Sequence, residues 1–177
     1  SNMIESKGYR DVAEAVERFN IDGGRATVDF VGDWPSSQAR RRFTEQISQY
    51  SHASEMQVHG RVTDRRSVRQ MMIEADVFIL PTYYPNEAQP ISIIEMLNAG
   101  TPVIATDHAA IPEYVFDDEN GYLVDKQSPS QIKQALDALT DRANWQEKAR
   151  SARRIYKEMF SPEAVGNLML RTVRGGE

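Results

Sequence analysis

Two short apolar runs, Val77-Phe78-Ile79-Leu80 and Val103-Ile104-Ala105, each border a proline, Pro81 after the first and Pro102 before the second. Between them lies one helical segment: Pro90 opens it, Ile91, Ile94 and Met96-Leu97 recur at helical spacing, and Gly100 and Pro102 close it. Strands and helices that take turns in this way point to a mostly parallel sheet, since parallel neighbours need a crossover such as a helix between them. A parallel sheet is covered by helices on both faces, so its strands are apolar throughout, as these are. That restricts the chain to an α/β fold.

The remaining sequence repeats the alternation. Helices are expected over 8–19, with Val12, Ala15-Val16 and Phe19 on one face, and over 36–50, 64–74, 90–99, 128–140 and 144–160, with a C-terminal helix within 161–177. Ser128 is expected to cap its helix, with Pro129 at the first position. Strands are expected over 26–31, 55–59, 77–80, 102–105 and 122–124. The implied architecture is a Rossmann-like three-layer α/β/α domain over 1–177 with one mostly parallel sheet. A strand should also precede the helix near Gly8, where only residues 1–4 are available. Ser1-Asn2 reads equally as a cleavage scar or as the end of that strand.

Within this frame Glu87 and Glu95, eight positions apart, fall on either side of a strand-to-helix turn. Glu87 belongs to the loop above a strand's carboxyl end and Glu95 to the helix, about one turn in. A helix start carries unpaired amides and about half a positive charge, which suits a phosphate. A carboxylate one turn in can accept from two neighbouring hydroxyls, such as a ribose diol. The pattern therefore fits a nucleotide-linked sugar. An isolated pair of glutamates is ordinarily two solvated charges, so the surrounding residues decide.

Those residues include Pro81-Thr82, Asn98-Ala99-Gly100-Thr101-Pro102-Val103-Ile104, Ile111-Pro112-Glu113 and Asn120-Gly121-Tyr122-Leu123-Val124. Together with the Glu pair and Lys7-Gly8 they resemble the C-terminal half of the retaining family-4 glycosyltransferases of the GT-B fold, over almost the whole chain. The resemblance implies that Lys7 is the diphosphate cation, that Glu87 holds a hydroxyl of the transferred sugar, and that Glu95 holds the ribose. Ala88 and Gln89 would offer backbone amides, with Pro90 and Ile91 at the helix start, although Pro90 cannot donate. Gly60, Arg61 and Val62 match the strand and glycine turn that meet the nucleobase. Asn2 or Ser1 stands where the family usually has an arginine, so a second phosphate cation is missing or supplied elsewhere. Ala109-Ala110 replaces a frequent Gly-Gly, and alanine resists positive φ. Glu113 is expected to be structural, as a cap or ion-pair partner.

The same resemblance implies a nucleoside-diphosphate sugar as donor, no metal or other cofactor, and an absent N-terminal domain that binds a hydroxyl acceptor in glycan or lipid-linked glycan synthesis. A chain of 177 residues is about half of such an enzyme. Arg40-Arg41-Arg42 and the set Arg150, Arg153, Arg154 and Lys157 read as solvated helix faces. The second set could also touch an anionic membrane surface, which would make the protein cytoplasmic and peripheral at the inner membrane face. His52, His59 and His108 lack metal-ligand spacing, and no Asp-x-Asp occurs. With no cysteine the chain has neither disulfides nor thiolate metal sites. A net charge of −5 opposes general nucleic-acid binding. A dinucleotide-dependent oxidoreductase is disfavoured because no Gly-x-Gly-x-x-Gly follows the first strand. A nucleotide-sugar epimerase or a non-catalytic binding module of the same fold would keep the Glu pair, and both stay open.

Overall fold

The computed structural model describes residues 2–174. Its strands are β1 (Val28–Val31), β2 (Met56–Gly60), β3 (Phe78–Leu80), β4 (Val103–Thr106) and β5 (Gly121–Val124). The helices are α1 (Tyr9–Ile21), α2 (Ser37–Ile47), α3 (Arg65–Glu74), α4 (Ile91–Ala99), α5 (Pro129–Leu139), α6 (Arg142–Met159) and α7 (Pro162–Arg174). The part of the C-terminal helix expected over 175–177 lies outside the described residues, as does Ser1.

All ladders are parallel, as the crossover pattern requires. The single sheet expected from the sequence is instead two ladders, β2 beside β1 and the order β3-β4-β5. Strand β4 shows why both faces are covered. It is buried throughout, and its alternating side chains send Ile104 into one apolar cluster and Val103 and Ala105 into the other. The first cluster gathers α1, α2 and α5 through Val16, Phe43 and Ile132, tied by edge-to-face contacts of Phe43 with Tyr9 (4.8 Å) and Phe30 (4.9 Å). The second gathers α4 and α6 through Ile93, Leu97 and Ile155.

Side-chain hydrogen bonds set several boundaries. Asn20 clamps Ala26, donating to its carbonyl at 2.9 Å and accepting from its amide at 2.8 Å, so β1 starts at Val28 rather than at residue 26. Helix α6 starts at Arg142, two residues before the expected 144, because Asp141 accepts from the Asn144 amide at 2.9 Å. Ser128 does precede Pro129, but its hydroxyl lies 3.4 Å from that of Ser130 and makes no cap bond. Its carbonyl accepts from Gln131 and Ile132 instead.

Between β1 and β3 lies a cavity of about 1080 Å³, walled by both strands and by residues of α1, α3, α4 and α5.

Candidate functional site

The site begins with the entry of the chain. The Met3 amide donates to the Asp33 carbonyl at 2.7 Å, just past β1, and the Ser6 carbonyl accepts from the Tyr83 amide at 2.8 Å, just past β3. A single 3-10 turn over Glu5–Lys7 then ends at Gly8, whose φ is +74°. A Cβ on Gly8 would stand 2.4 Å from the Pro81 carbonyl oxygen, so only glycine can cross the end of β3 this closely. The crossing sets Lys7 over the loop that follows β3.

There Lys7 Nζ donates to Glu87 Oε2, with the two side chains only 14% and 9% exposed. The ammonium also lies 5.3 Å from the centre of the Tyr84 ring. Thr82, fully buried, donates its hydroxyl to the same Oε2 at 2.8 Å. The Ser6 carbonyl is 3.3 Å from that hydroxyl, but one hydrogen cannot serve both, and the charged acceptor at shorter range is favoured. Thr106 in turn donates to the Thr82 carbonyl, and a ring nitrogen of His108 lies 2.8 Å from the Tyr84 carbonyl. Among the described residues both contacts of the Glu87 carboxylate fall on Oε2, and Oε1 has no protein donor. Likewise the Lys7 ammonium has three hydrogens and commits one to Glu87. Beneath the site the Tyr114 phenol is held un-ionised well above its ordinary range, first by burial and then by the charges of Glu87 and Glu113.

Helix α4 points its amino end at this loop. Pro90, expected to open the helix, occupies the cap position just before Ile91, and its carbonyl accepts from the Ile93 amide. Ala88 and Gln89 are exposed. Ile91, 70% exposed, and Glu95, also exposed, stand four residues apart and so share one open face of α4. At the end of β2, Gly60 adopts φ +77° and its carbonyl accepts from Gly32 at 2.9 Å. Arg61 follows, 3.7 Å from the Asp33 carboxylate, and then half-buried Val62. Asn2, exposed, directly precedes Met3. These groups gather at the carboxyl ends of β1, β2 and β3, the edge at which open α/β sheets take ligands.

Ala109, of the pair replacing Gly-Gly, has φ +53°, whereas Ala110 has φ −84°. Glu113, expected to cap or pair, is exposed, and its carboxylate makes no ion pair among the described residues. Thr82, Tyr84 and His108 are the site residues that the sequence did not assign. The one available signal was a threonine two residues beyond a buried strand, after Pro81. Among the described residues no cluster of three His, Cys, Asp or Glu could hold a metal ion, and no helix is long and apolar enough to cross a membrane. In the basic set on α6, Arg153 donates to Asn98, and Arg154 pairs with Glu119 and Glu158, so two of its members are tied down.

Residues 1–157 match the family model described as glycosyl transferases group 1. WcaL of Escherichia coli K12, assigned by name to colanic acid biosynthesis as a glycosyltransferase, is 29% identical over 79% of the chain and 34% of its own length. TuaC of Bacillus subtilis, assigned likewise to teichuronic acid biosynthesis, is 28% identical over 81% of the chain and 32% of its own length. The chain thus spans about a third of these relatives. Among solved structures, the C-terminal domain of a group 1 glycosyl transferase, LpcC of Francisella tularensis, superposes with a TM-score of 0.82 at 21% identity, over 91% of this chain and 83% of that one. HepE of Anabaena, solved with UDP and glucose, gives 0.83 at 19% identity over 98% of this chain and 46% of that one. Both likenesses establish the fold, that of a GT-B C-terminal domain.

Proposed function

The chain belongs to the glycosyl transferases group 1 family, and from that premise we propose that it is the donor domain of a retaining hexosyltransferase of polysaccharide biosynthesis. Its substrate is a nucleoside-diphosphate sugar, and an N-terminal domain supplies the acceptor. The observation that carries this is the Lys7–Glu87 pair, pinned by Thr82 in front of α4 with one carboxylate oxygen left over. In the reaction the bond from the anomeric carbon to the diphosphate breaks and a bond to an acceptor hydroxyl forms on the same face, with the hydroxyl proton passing to the departing phosphate. Lys7 and the amino end of α4 stabilise the negative charge that grows on that phosphate. Oε1 of Glu87 accepts from a sugar hydroxyl and fixes the ring, while Glu95 accepts from the ribose and Ile91 offers apolar surface beside it. Gly60, Arg61 and Val62 border the nucleobase.

Support also comes from the names of the relatives, glycosyltransferases of two surface polysaccharides, and from HepE, solved with UDP-glucose. The cytoplasmic location, the absence of a metal and a peripheral membrane contact through Arg150 and Lys157 belong to the same proposal. Titration of the chain with UDP, GDP and their glucose or mannose conjugates by calorimetry tests it. Saturable binding that weakens at least tenfold in Lys7→Met is expected. Failure of every nucleoside diphosphate to bind would leave a structural module of this fold.

A further inference from the structure

Resting on the donor-site reading, we propose that the arginines around the carboxyl end of β2 form a steering surface. It draws the polyanionic nucleoside diphosphate toward the site and does not touch it once bound. The need comes from the net charge of −5, which at long range repels such a ligand. That charge is unevenly spread. Residues 40–69 hold seven arginines, no lysine and only three carboxylates, whereas the remaining residues hold 14 bases against 23 acids. A locally positive approach to a cleft raises the ligand concentration there, and the on-rate with it, by about 10- to 1000-fold.

The fold gathers this surplus at the edge of the candidate site. Helix α2 follows the carboxyl end of β1 and α3 that of β2, so both amino ends open on that edge. Arg40 of α2 donates to the Val58 carbonyl at 2.8 Å, Arg61 directly follows β2, and Arg66 of α3 borders a depression with His59 and Val62. Of the acids in the segment, Asp64 is committed to the Ser67 amide at 2.8 Å, and Glu55 stands at the opposite end of β2. Arg61 lies 3.7 Å from the Asp33 carboxylate, and the Asp33 carbonyl accepts from Met3. From Met3 to Lys7 is at most about 14 Å of chain, so the surplus begins beside the diphosphate site.

Two observations separate these arginines from ordinary surface charge. Among the described residues Arg40, Arg41, Arg42, Arg65, Arg66 and Arg69 make no ion pair, whereas Arg18 of α1, Lys133 of α5 and Lys148 and Arg154 of α6 each hold a carboxylate. Arg65 and Arg66 also occupy the first turn of α3, where the helix end is itself positive and disfavours a cation, and neither α2 nor α3 has an acid in that turn. Helix stability does not account for this placement. A field that acts on an anion does.

Stopped-flow association of UDP and GDP with the full-length protein, followed by tryptophan fluorescence between about 0.01 and 0.5 M salt, tests this; the Debye length falls from about 30 Å at 0.01 M to about 10 Å at 0.1 M. The parent's association rate constant should fall at least tenfold across that range. The exposed triple variant Arg65→Gln/Arg66→Gln/Arg69→Gln should associate about tenfold more slowly at 0.01 M, match the parent within about twofold at 0.5 M, and release ligand at an unchanged rate. Lysine at the same three positions keeps the charge without the guanidinium fork and should restore association. Calorimetric Kd values at both ends of the salt range give the same comparison if fluorescence does not change, and the parent's salt dependence decides alone if a variant does not fold. Association that ignores salt or the three arginines overturns the proposal. So does a loss carried by faster release, or one that lysine does not rescue, since either would make these arginines direct ligand contacts. Failure of both nucleotides to bind would overturn the donor-site reading itself and this inference with it.

Discussion

The Ala109-Ala110 pair offers the sharpest check on the backbone of the loop after β4, because its two members should respond to the same substitution with opposite signs. Ala109 has φ +53° and is exposed, so its methyl packs against little. An L-residue in the left-handed region costs about 1–2 kcal/mol, which glycine does not incur. Glycine adds freedom to the unfolded chain worth about 0.4–1 kcal/mol, so Ala109→Gly should stabilise the domain by about 0.5–1 kcal/mol. Ala110 has φ −84°, is half-buried against the second apolar cluster, and offers its carbonyl to the Glu113 amide at 3.1 Å. It gains nothing from glycine, loses a packed methyl, and should be destabilised by about 0.5–1.5 kcal/mol. For a domain of this size each kcal/mol moves Tm by about 2–4 °C. Urea unfolding followed by circular dichroism reads both changes. A stabilised Ala110→Gly, or an Ala109→Gly that is neutral or weaker than the parent, would refute the strain assigned to residue 109.

Three further outcomes follow from the proposed donor site. Glu95→Ala removes a charge-assisted acceptor worth roughly 1.5–3 kcal/mol, so UDP or GDP should bind about 10- to 100-fold more weakly. The 2′-deoxy nucleotides should show a much smaller change, and equal affinity of the parent for ribose and deoxyribose forms would remove Glu95 from this role. In the full-length enzyme Glu87→Gln should lower turnover at least tenfold while nucleoside diphosphate affinity changes little, since the contact is to the transferred sugar; unchanged turnover would place Glu87 outside the chemistry. Residues 1–177 alone should bind donor but transfer no sugar, because the orientation supplied by a second wall is worth roughly 7–11 kcal/mol of the barrier, and robust transfer by this chain would contradict the two-domain mechanism.

The alternation of apolar runs and helical spacing made the fold class legible, since a buried parallel strand has no polar face to disguise it. The spacing of the Glu pair also placed Glu87 and Glu95 on the right loop and helix. Asn120-Gly121 was legible only as a family motif. The structure supplies its physical content: Asn120 is fully buried, accepts from the Phe116 amide at 2.7 Å and donates to the Tyr114 carbonyl at 2.9 Å, which fixes the turn into β5. What the sequence hid were partnerships between distant segments. Lys7 and Glu87 are eighty residues apart, and nothing local announces that they meet. Ser128 went the other way, a locally legible cap whose hydroxyl accepts from no helix amide. The split of the sheet was hidden too, since periodicity reports which residues are buried and not which strands are neighbours.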